Sequence, residues 1–296
     1  MIELQYLKTG YRGNTVVQIG HLQLRQQEIT VIVGKNGCGK STLLRSVAGQ
    51  LPYRGSIVCS LDTADDSKQV ASVDSTDLAS APASLETGSK QNNRKQKEIR
   101  NLQSKERARL ISYLPQHLTI PEMSVETLVS HGRFCRMGFS RTLGEKDLEV
   151  IACALRTAEV DHLRDKSISS LSGGERQRAY LAMTIAQDAP MMLLDEPDTY
   201  MDISHKMTLL EILRKLRDGG RGIVMTSHDM PFAFLAADRI CVMAEGEIVA
   251  DGTPDEIASM QGMLRQAMGA GMRKVEEPGF LYPYMMEDGQ KPLSLP

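Results

Sequence analysis

Gly34-Lys35-Asn36-Gly37-Cys38-Gly39-Lys40-Ser41-Thr42 lies between an apolar run, Ile29-Thr30-Val31-Ile32-Val33, and a helix-forming segment, Leu43-Leu44-Arg45-Ser46-Val47-Ala48. Strand, glycine-rich loop and helix in that order are the setting of a phosphate-binding P-loop. Glycines let successive backbone N–H groups converge on one phosphate, and the helix N-terminus adds partial positive charge. Lys40 is placed to reach β- and γ-phosphates, and the Ser41 hydroxyl to ligate Mg²⁺. Every fixed position of the motif is filled, which a plain glycine turn between strand and helix does not require. The loop points to nucleoside triphosphate chemistry and leaves its kind open.

Around this loop the chain alternates strands and helices. Ile2, Leu4 and Tyr6 alternate with polar residues, and Val16, Val17, Ile19, Leu22 and Leu24 follow a turn at 10–14, which predicts an antiparallel section before the loop strand. Beyond it, Met191-Met192-Leu193-Leu194 is a continuous apolar run ending in Asp195-Glu196-Pro197, as a buried parallel strand should look. A helix over 203–216 leads to the strand Gly222-Ile223-Val224-Met225-Thr226 and then to Ser227-His228-Asp229. A helix over 231–237 and strands over 239–243 and 247–250 complete the pattern. The expected fold is α/β of the P-loop type. A mostly parallel sheet is flanked by helices, with an antiparallel β subdomain and a helical subdomain at about 117–190. The ligand belongs at the carboxyl ends of the parallel strands.

Composition narrows the classes. A hydrophobic share of 41% with 24% charged residues is that of a soluble globular chain able to bury a proper core. A net charge of −2 gives no case for nucleic acid or an anionic membrane surface as partner. The five cysteines contain no C-x-x-C pair, so neither a zinc site nor a disulfide framework is indicated, and a reducing compartment is expected. No signal peptide opens the sequence, and no apolar run approaches the roughly 20 residues that span a bilayer. Residues 62–98 are rich in Ser, Asp, Ala, Lys, Gln and Asn, with an acidic first half and a basic second half, and read as a surface insertion. Residues 132–141 interleave Phe134, Met137 and Phe139 with Arg133, Arg136 and Arg141. Core packing accounts for the apolar members, but three interleaved arginines are not expected inside, so a docking surface for another protein stands as the second reading. The tail, 261–296, is rich in Met and Pro and suggests no role.

Two further motifs carry chemistry. Asp195-Glu196 closes a hydrophobic strand, where two adjacent carboxylates repel unless one holds a metal and the other faces water. Ser172-Gly173-Gly174-Glu175 reads as a helix capping box. In its full form, Leu171-Ser172-Gly173-Gly174-Glu175-Arg176-Gln177-Arg178, it resembles the signature of ATP-binding-cassette (ABC) ATPases. The resemblance spans residues 2–260, with only 62–98 outside it. It implies an ATPase domain over 1–260 that binds ATP and Mg²⁺.

On that resemblance Tyr11 stacks on adenine, and Gly34, Lys35, Asn36, Gly37, Cys38, Gly39, Lys40, Ser41 and Thr42 bind the nucleotide. Ser41, Gln116 and Asp195 hold the metal. Glu196 serves as the catalytic glutamate, His228 as the switch histidine, and Lys40 contacts the phosphates being cleaved. Ser172, Gly173, Gly174, Glu175 and Asp202 belong to the site of a second copy, which they complete in trans. ATP then closes a head-to-tail dimer, and hydrolysis releases it.

Rival classes within the family separate on simple grounds. No heptad-bearing coiled coil divides the P-loop from the signature, as repair and chromosome ATPases require, and the chain has one cassette and no membrane domain. Tyr113-Leu114-Pro115-Gln116, Ser130-His131-Gly132-Arg133 and the stretch from Asp195 to Ile203 look like the cassette subunits of ferric siderophore, haem and cobalamin importers. That likeness implies integral membrane permease subunits as partners, an extracytoplasmic substrate-binding protein acting indirectly, and a peripheral place on the cytoplasmic face of the inner membrane. The alternative is a soluble ABC ATPase with a regulatory or binding role. Three positions depart from the family pattern: Lys35 in place of a proline or small residue, Asp198 in place of threonine, and Met201 in place of leucine.

Overall fold

The computed structural model describes residues 1–60, 96–137, 142–199 and 201–269, together with the backbone of two short strands beyond them. In chain order come β1 (Ile2–Tyr11), β2 (Asn14–Leu24), β3 (Ile29–Val33), α1 (Lys40–Val47), β4 (Tyr53–Cys59) and β5 (Lys97–Glu98). Next are α2 (Ser104–Leu110), β6 (Ile111–Leu114), α3 (Val125–Ser130), α4 (Glu145–Thr157), α5 (Gly173–Ala186) and β7 (Met191–Asp195). The rest are α6 (Ile203–Asp218), β8 (Gly222–Ser227), α7 (Met230–Ala236), β9 (Arg239–Ala244), β10 (Glu247–Gly252), α8 (Pro254–Ser259), α9 (Gln261–Met268), β11 (Gly271–Lys274) and β12 (Leu281–Tyr284).

The central sheet has the order β10-β9-β3-β8-β7-β6, parallel from β9 to β6, with β10 antiparallel at one edge. Its inner strands β3, β7 and β8 are buried at every residue because both faces are covered, and successive side chains alternate between two cores. Ile29, Val31 and Val33 of β3, Met192 and Leu194 of β7, and Ile223 and Met225 of β8 pack with the helices α3 to α7. Ile32, Met191, Leu193 and Val224 point the other way, onto α1 and the antiparallel sheet β2-β1-β4-β5. Leu43, Leu44 and Val47 put α1 between the two sheets. Register does the positioning. Val33 lies opposite Ser227 and Asp195 opposite Thr226, so three strand ends meet at one carboxyl edge.

Three expectations need correction. In the 132–141 stretch two residues run against its reading. Arg133 is 6% exposed and Phe134 is 54% exposed, with its ring 4.6 Å from that of His131. Arg133 can be inside because it has two partners, Asp147 of α4 at 2.8 Å and the Ala186 carbonyl at the end of α5 at 2.9 Å. Carbonyls of a last helical turn have no intrahelical donor, so a guanidinium satisfies them and the helix dipole together. Residues 138–141 of that stretch lie outside the described residues.

In α4 the core face is Ile151, Ala154 and Leu155, while Leu148, one helical turn earlier, is exposed. The 62–98 segment ends sooner than its composition implies. Lys97–Glu98 pairs with β4, and Glu98 accepts from the Tyr53 hydroxyl at 2.8 Å and the Ile57 N–H at 3.1 Å. Residues 61–95 lie outside the described residues. Packing also runs past residue 260, since Leu264 and Ala267 of α9 join the main core.

Leu194 is fully buried among these helices. Leu194→Ala should lower stability by about 2–5 kcal/mol in urea unfolding, the range for a large-to-small change in a tight core. A loss under about 1 kcal/mol would contradict this packing.

Candidate active site

The loop between β3 and α1 is shaped by two glycines. Gly39 has φ +110° and is the N-cap of α1; a Cβ there would lie 2.8 Å from Val17 Cγ2. Gly34 passes so close to Met243 that a Cβ would sit 2.3 Å from its carbonyl oxygen. The loop is thereby pressed onto the ends of β2 and β9 and curls over the helix start. Lys40, 5% exposed, extends its Nζ back inside the curl and donates to the carbonyls of Gly34 at 2.7 Å and Lys35 at 3.2 Å.

The neighbouring strand ends supply the acids. Asp195 is fully buried and its carboxylate accepts three hydroxyls: Ser41 at 2.9 Å, Thr226 at 2.8 Å and Tyr113 at 3.3 Å. Burial and the Asp195 charge push the Tyr113 hydroxyl up to about 12, so it stays a donor. Arg45 of α1 contacts Tyr113 and Tyr11, and the Tyr113 hydrogen bond raises its already high proton affinity.

Immediately after Asp195 the backbone turns at Glu196, whose φ is +49°, an unusual conformation for a non-glycine residue. Its N–H donates to Thr226 Oγ1 at 2.9 Å, which holds that turn. The turn aims the Glu196 carboxylate into the cleft. There it accepts from Gln116 Nε2 at 2.7 Å and lies 3.4 Å from His228 Nδ1 and from Thr199 Oγ1.

A cleft of about 330 Å³ joins these groups. Asn36, Gly37, Gly39, Lys40, Ser41, Thr42, Gln116, Glu196 and His228 line it, and Val16 forms one apolar side. The remaining sequence candidates lie elsewhere. Lys35, expected to bind the nucleotide, turns its side chain away from the cleft, its Nζ donating to the Gln266 carbonyl in α9 at 3.3 Å. Tyr11 ends β1, 41% exposed, against Arg45.

The signature and Asp202 are not among the residues lining the cleft. Ser172 is the N-cap of α5, accepting the Glu175 N–H while Glu175 accepts the Ser172 N–H at 2.8 Å, and these bonds hold the Glu175 carboxyl below its usual range. Asp202 caps α6, accepting the His205 N–H at 2.8 Å, and its carboxyl is lowered for the same reason. Gly174 faces the His205 ring, so the two caps sit side by side.

Thr226, Tyr113, Arg45 and Val16 were not singled out from sequence. Thr226 had one available signal: it is a polar residue inside the otherwise apolar run of β8, directly before Ser227-His228. Because Thr226 bonds the Asp195 carboxylate and the Glu196 N–H, Thr226→Val should reduce ATP turnover by about 10–100-fold with the fold intact, the usual scale for removing a hydrogen-bonded group that orients a site carboxylate. Parental turnover in that variant would contradict the arrangement.

No helix among the described residues is long and apolar enough to cross a membrane. Residues 17–199 match the ABC transporter family model. A probable siderophore transport system ATP-binding protein of Bacillus subtilis (strain 168) is 31% identical over 98% of this chain and 93% of its own length. The ferric enterobactin transport ATP-binding protein of Escherichia coli (strain K12) is 32% identical over 93% of this chain and 89% of its own. Among solved structures, an ATP-binding cassette of an ABC transporter in its ADP conformation superposes with a TM-score of 0.69 at 18% identity, covering 90% of this chain and 97% of that one. Fold, cleft and sequence therefore agree: the chain belongs to the ABC transporter family, as an ATP-binding and ATP-hydrolysing subunit.

Proposed function

We propose that this chain powers the import of a ferric siderophore as one of two identical cassettes docked on an integral membrane permease. An extracytoplasmic binding protein supplies the cargo, and the cassettes sit peripherally on the cytoplasmic face of the inner membrane. The siderophore is favoured over haem and cobalamin by the relatives in Bacillus and Escherichia that are named for siderophore transport. One observation carries the mechanism. The cleft gathers the P-loop, Gln116, Glu196 and His228, whereas Ser172–Glu175 and Asp202 stand outside it. A site lacking half its groups within one chain is completed by the same groups of a second copy.

The roles follow from the chemistry of each group. Amides of the loop and the Lys40 ammonium neutralise the β- and γ-phosphates, a stabilisation that costs no reorganisation because the donors are already oriented. Ser41, Asp195 and the side-chain oxygen of Gln116, whose nitrogen is taken up by Glu196, form a hard-oxygen set that suits Mg²⁺. When bound, Mg²⁺ offsets the charge of the phosphates. Glu196 accepts the proton of the attacking water, and His228, beside it, contacts the γ-phosphate. Ser172 and the Gly173 and Gly174 amides of the facing copy close over the same phosphate from a helix N-terminus.

Glu196→Gln preserves the shape and the Gln116 contact but removes the base. It should lower turnover by about 10²–10⁴-fold and yield an ATP-dependent dimer in size-exclusion chromatography. Parental turnover, or a monomer at saturating ATP, would sink the mechanism. The transport role is tested by purification from detergent-solubilised membranes: an associated permease that restores ferric siderophore uptake in vesicles is expected. Recovery of the chain with no membrane protein would favour the soluble alternative.

A further inference from the structure

Asp198 is one of the three departures from the family pattern, and its surroundings are not those of an ordinary loop acid. It is 2% exposed, on the turn between β7 and α6 that also carries Glu196 and Asp202. One carboxylate oxygen accepts the Ser227 hydroxyl at 2.7 Å, and the other is buried with no hydrogen-bond partner. Ser227, itself fully buried, accepts the Asp229 N–H on the same hydroxyl oxygen at 3.0 Å. The hydroxyl therefore spans His228: it donates to Asp198 at 2.7 Å, with the Asp229 carbonyl a longer acceptor at 3.4 Å, and its lone pair takes the Asp229 N–H. Nothing else among the described hydrogen bonds links the turn after β7 to the backbone on both sides of His228.

We infer that Asp198 is a positioning residue, which through Ser227 fixes the loop carrying His228 relative to the turn carrying Glu196. The inference rests on reading Glu196 and His228 as the groups that meet the γ-phosphate. A threonine at this place offers a neutral hydroxyl, which competes for the Ser227 proton far less strongly than an ionised carboxylate does. The charged form carries a penalty, because burial raises the proton affinity of the Asp198 carboxyl. The charged or titratable groups facing it are His228 from the end of β8, Lys206 from α6 and Asp229 at the N-cap of α7. Glu196 lies on its own turn. Lys206 is already paired with Asp229, so its charge is shared.

Protonating Asp198 withdraws the charge from its bond with Ser227 and loosens the His228 loop, so turnover should fall on the acid side. The effect on stability has the opposite sense. A carboxyl whose folded-state affinity is raised contributes most while it remains protonated, and its ionisation at higher pH lowers stability.

The test uses the full chain with Asp198→Ala, Asp198→Asn and Asp198→Thr, measuring kcat, KM for ATP and the melting midpoint across pH. Asp198→Ala should lose about 10–100-fold in kcat, the scale of one charge-assisted hydrogen bond, with KM nearly unchanged. Asp198→Asn, which keeps an acceptor for Ser227, should recover part of that loss and show a smaller fall in kcat on the acid side than the parent, the remaining acid limb being that of Glu196. Its midpoint should gain on the parent as pH rises. Parental kcat and an unaltered pH profile in all three variants would overturn the inference. So would losses of kcat that merely follow a lowered midpoint in Ala, Asn and Thr alike. Glu196→Gln serves as the control. If it hydrolyses at the parental rate, the reading of the site fails and this inference falls with it. If it is inactive while Asp198→Ala is not impaired, only the role of Asp198 fails.

Discussion

Three hydroxyls from three elements converge on one buried carboxylate, and the site depends on that convergence. Asp195 draws in Ser41 from α1, Thr226 from β8 and Tyr113 from β6. A fully desolvated carboxylate is costly without such bonds. Its burial at the end of β7 therefore requires that the P-loop helix and both neighbouring strands be in register. Parallel pairing supplies the register: Asp195 lies opposite Thr226, and Leu114 opposite Leu194. The fold is what brings the donors to the acid, and the acid in turn fixes where α1 begins relative to the sheet.

From that anchor the second acid acquires a different environment. Glu196 leaves the strand through a left-handed turn pinned by Thr226, and its carboxylate meets Gln116 and His228 at the cleft instead of sharing the Asp195 hydroxyls. Two neighbours in sequence are thus given different partners, three hydroxyls for Asp195 and the Gln116 amide with His228 for Glu196. The arrangement also places His228 beside Glu196, so the strand ends of β7 and β8 act as one unit. Asp198 and Ser227 extend that unit behind the cleft, where the carboxylate is set by burial and not by solvent.

Much of this was legible in the chain itself. The P-loop, the signature string and the acids at 195–196 are local patterns, because glycine geometry, helix capping and apolar strand runs act over a few residues. Their order along the sequence identified the fold. Local pattern failed where partners come from far away. Arg133 looked too polar to bury, yet Asp147 and the Ala186 carbonyl satisfy it. Leu148 fits a helical repeat but falls outside the packed stripe of α4. Glu98 looked like the end of a polar segment and instead joins a sheet edge through Tyr53 and Ile57.

The sequence by itself determined that a strand–loop–helix cradle exists and that a capped signature helix exists. Only the tertiary structure decided which side chains share a cleft. Lys35 was adjacent to the cradle in sequence but is drawn to the end of α9, while Gln116, 80 residues from Glu196, donates to it. The physical reason is that hydrogen-bond partners are selected by register between strands and by packing of helices across the sheet. Both are properties of the folded chain, with no trace in any short window of residues.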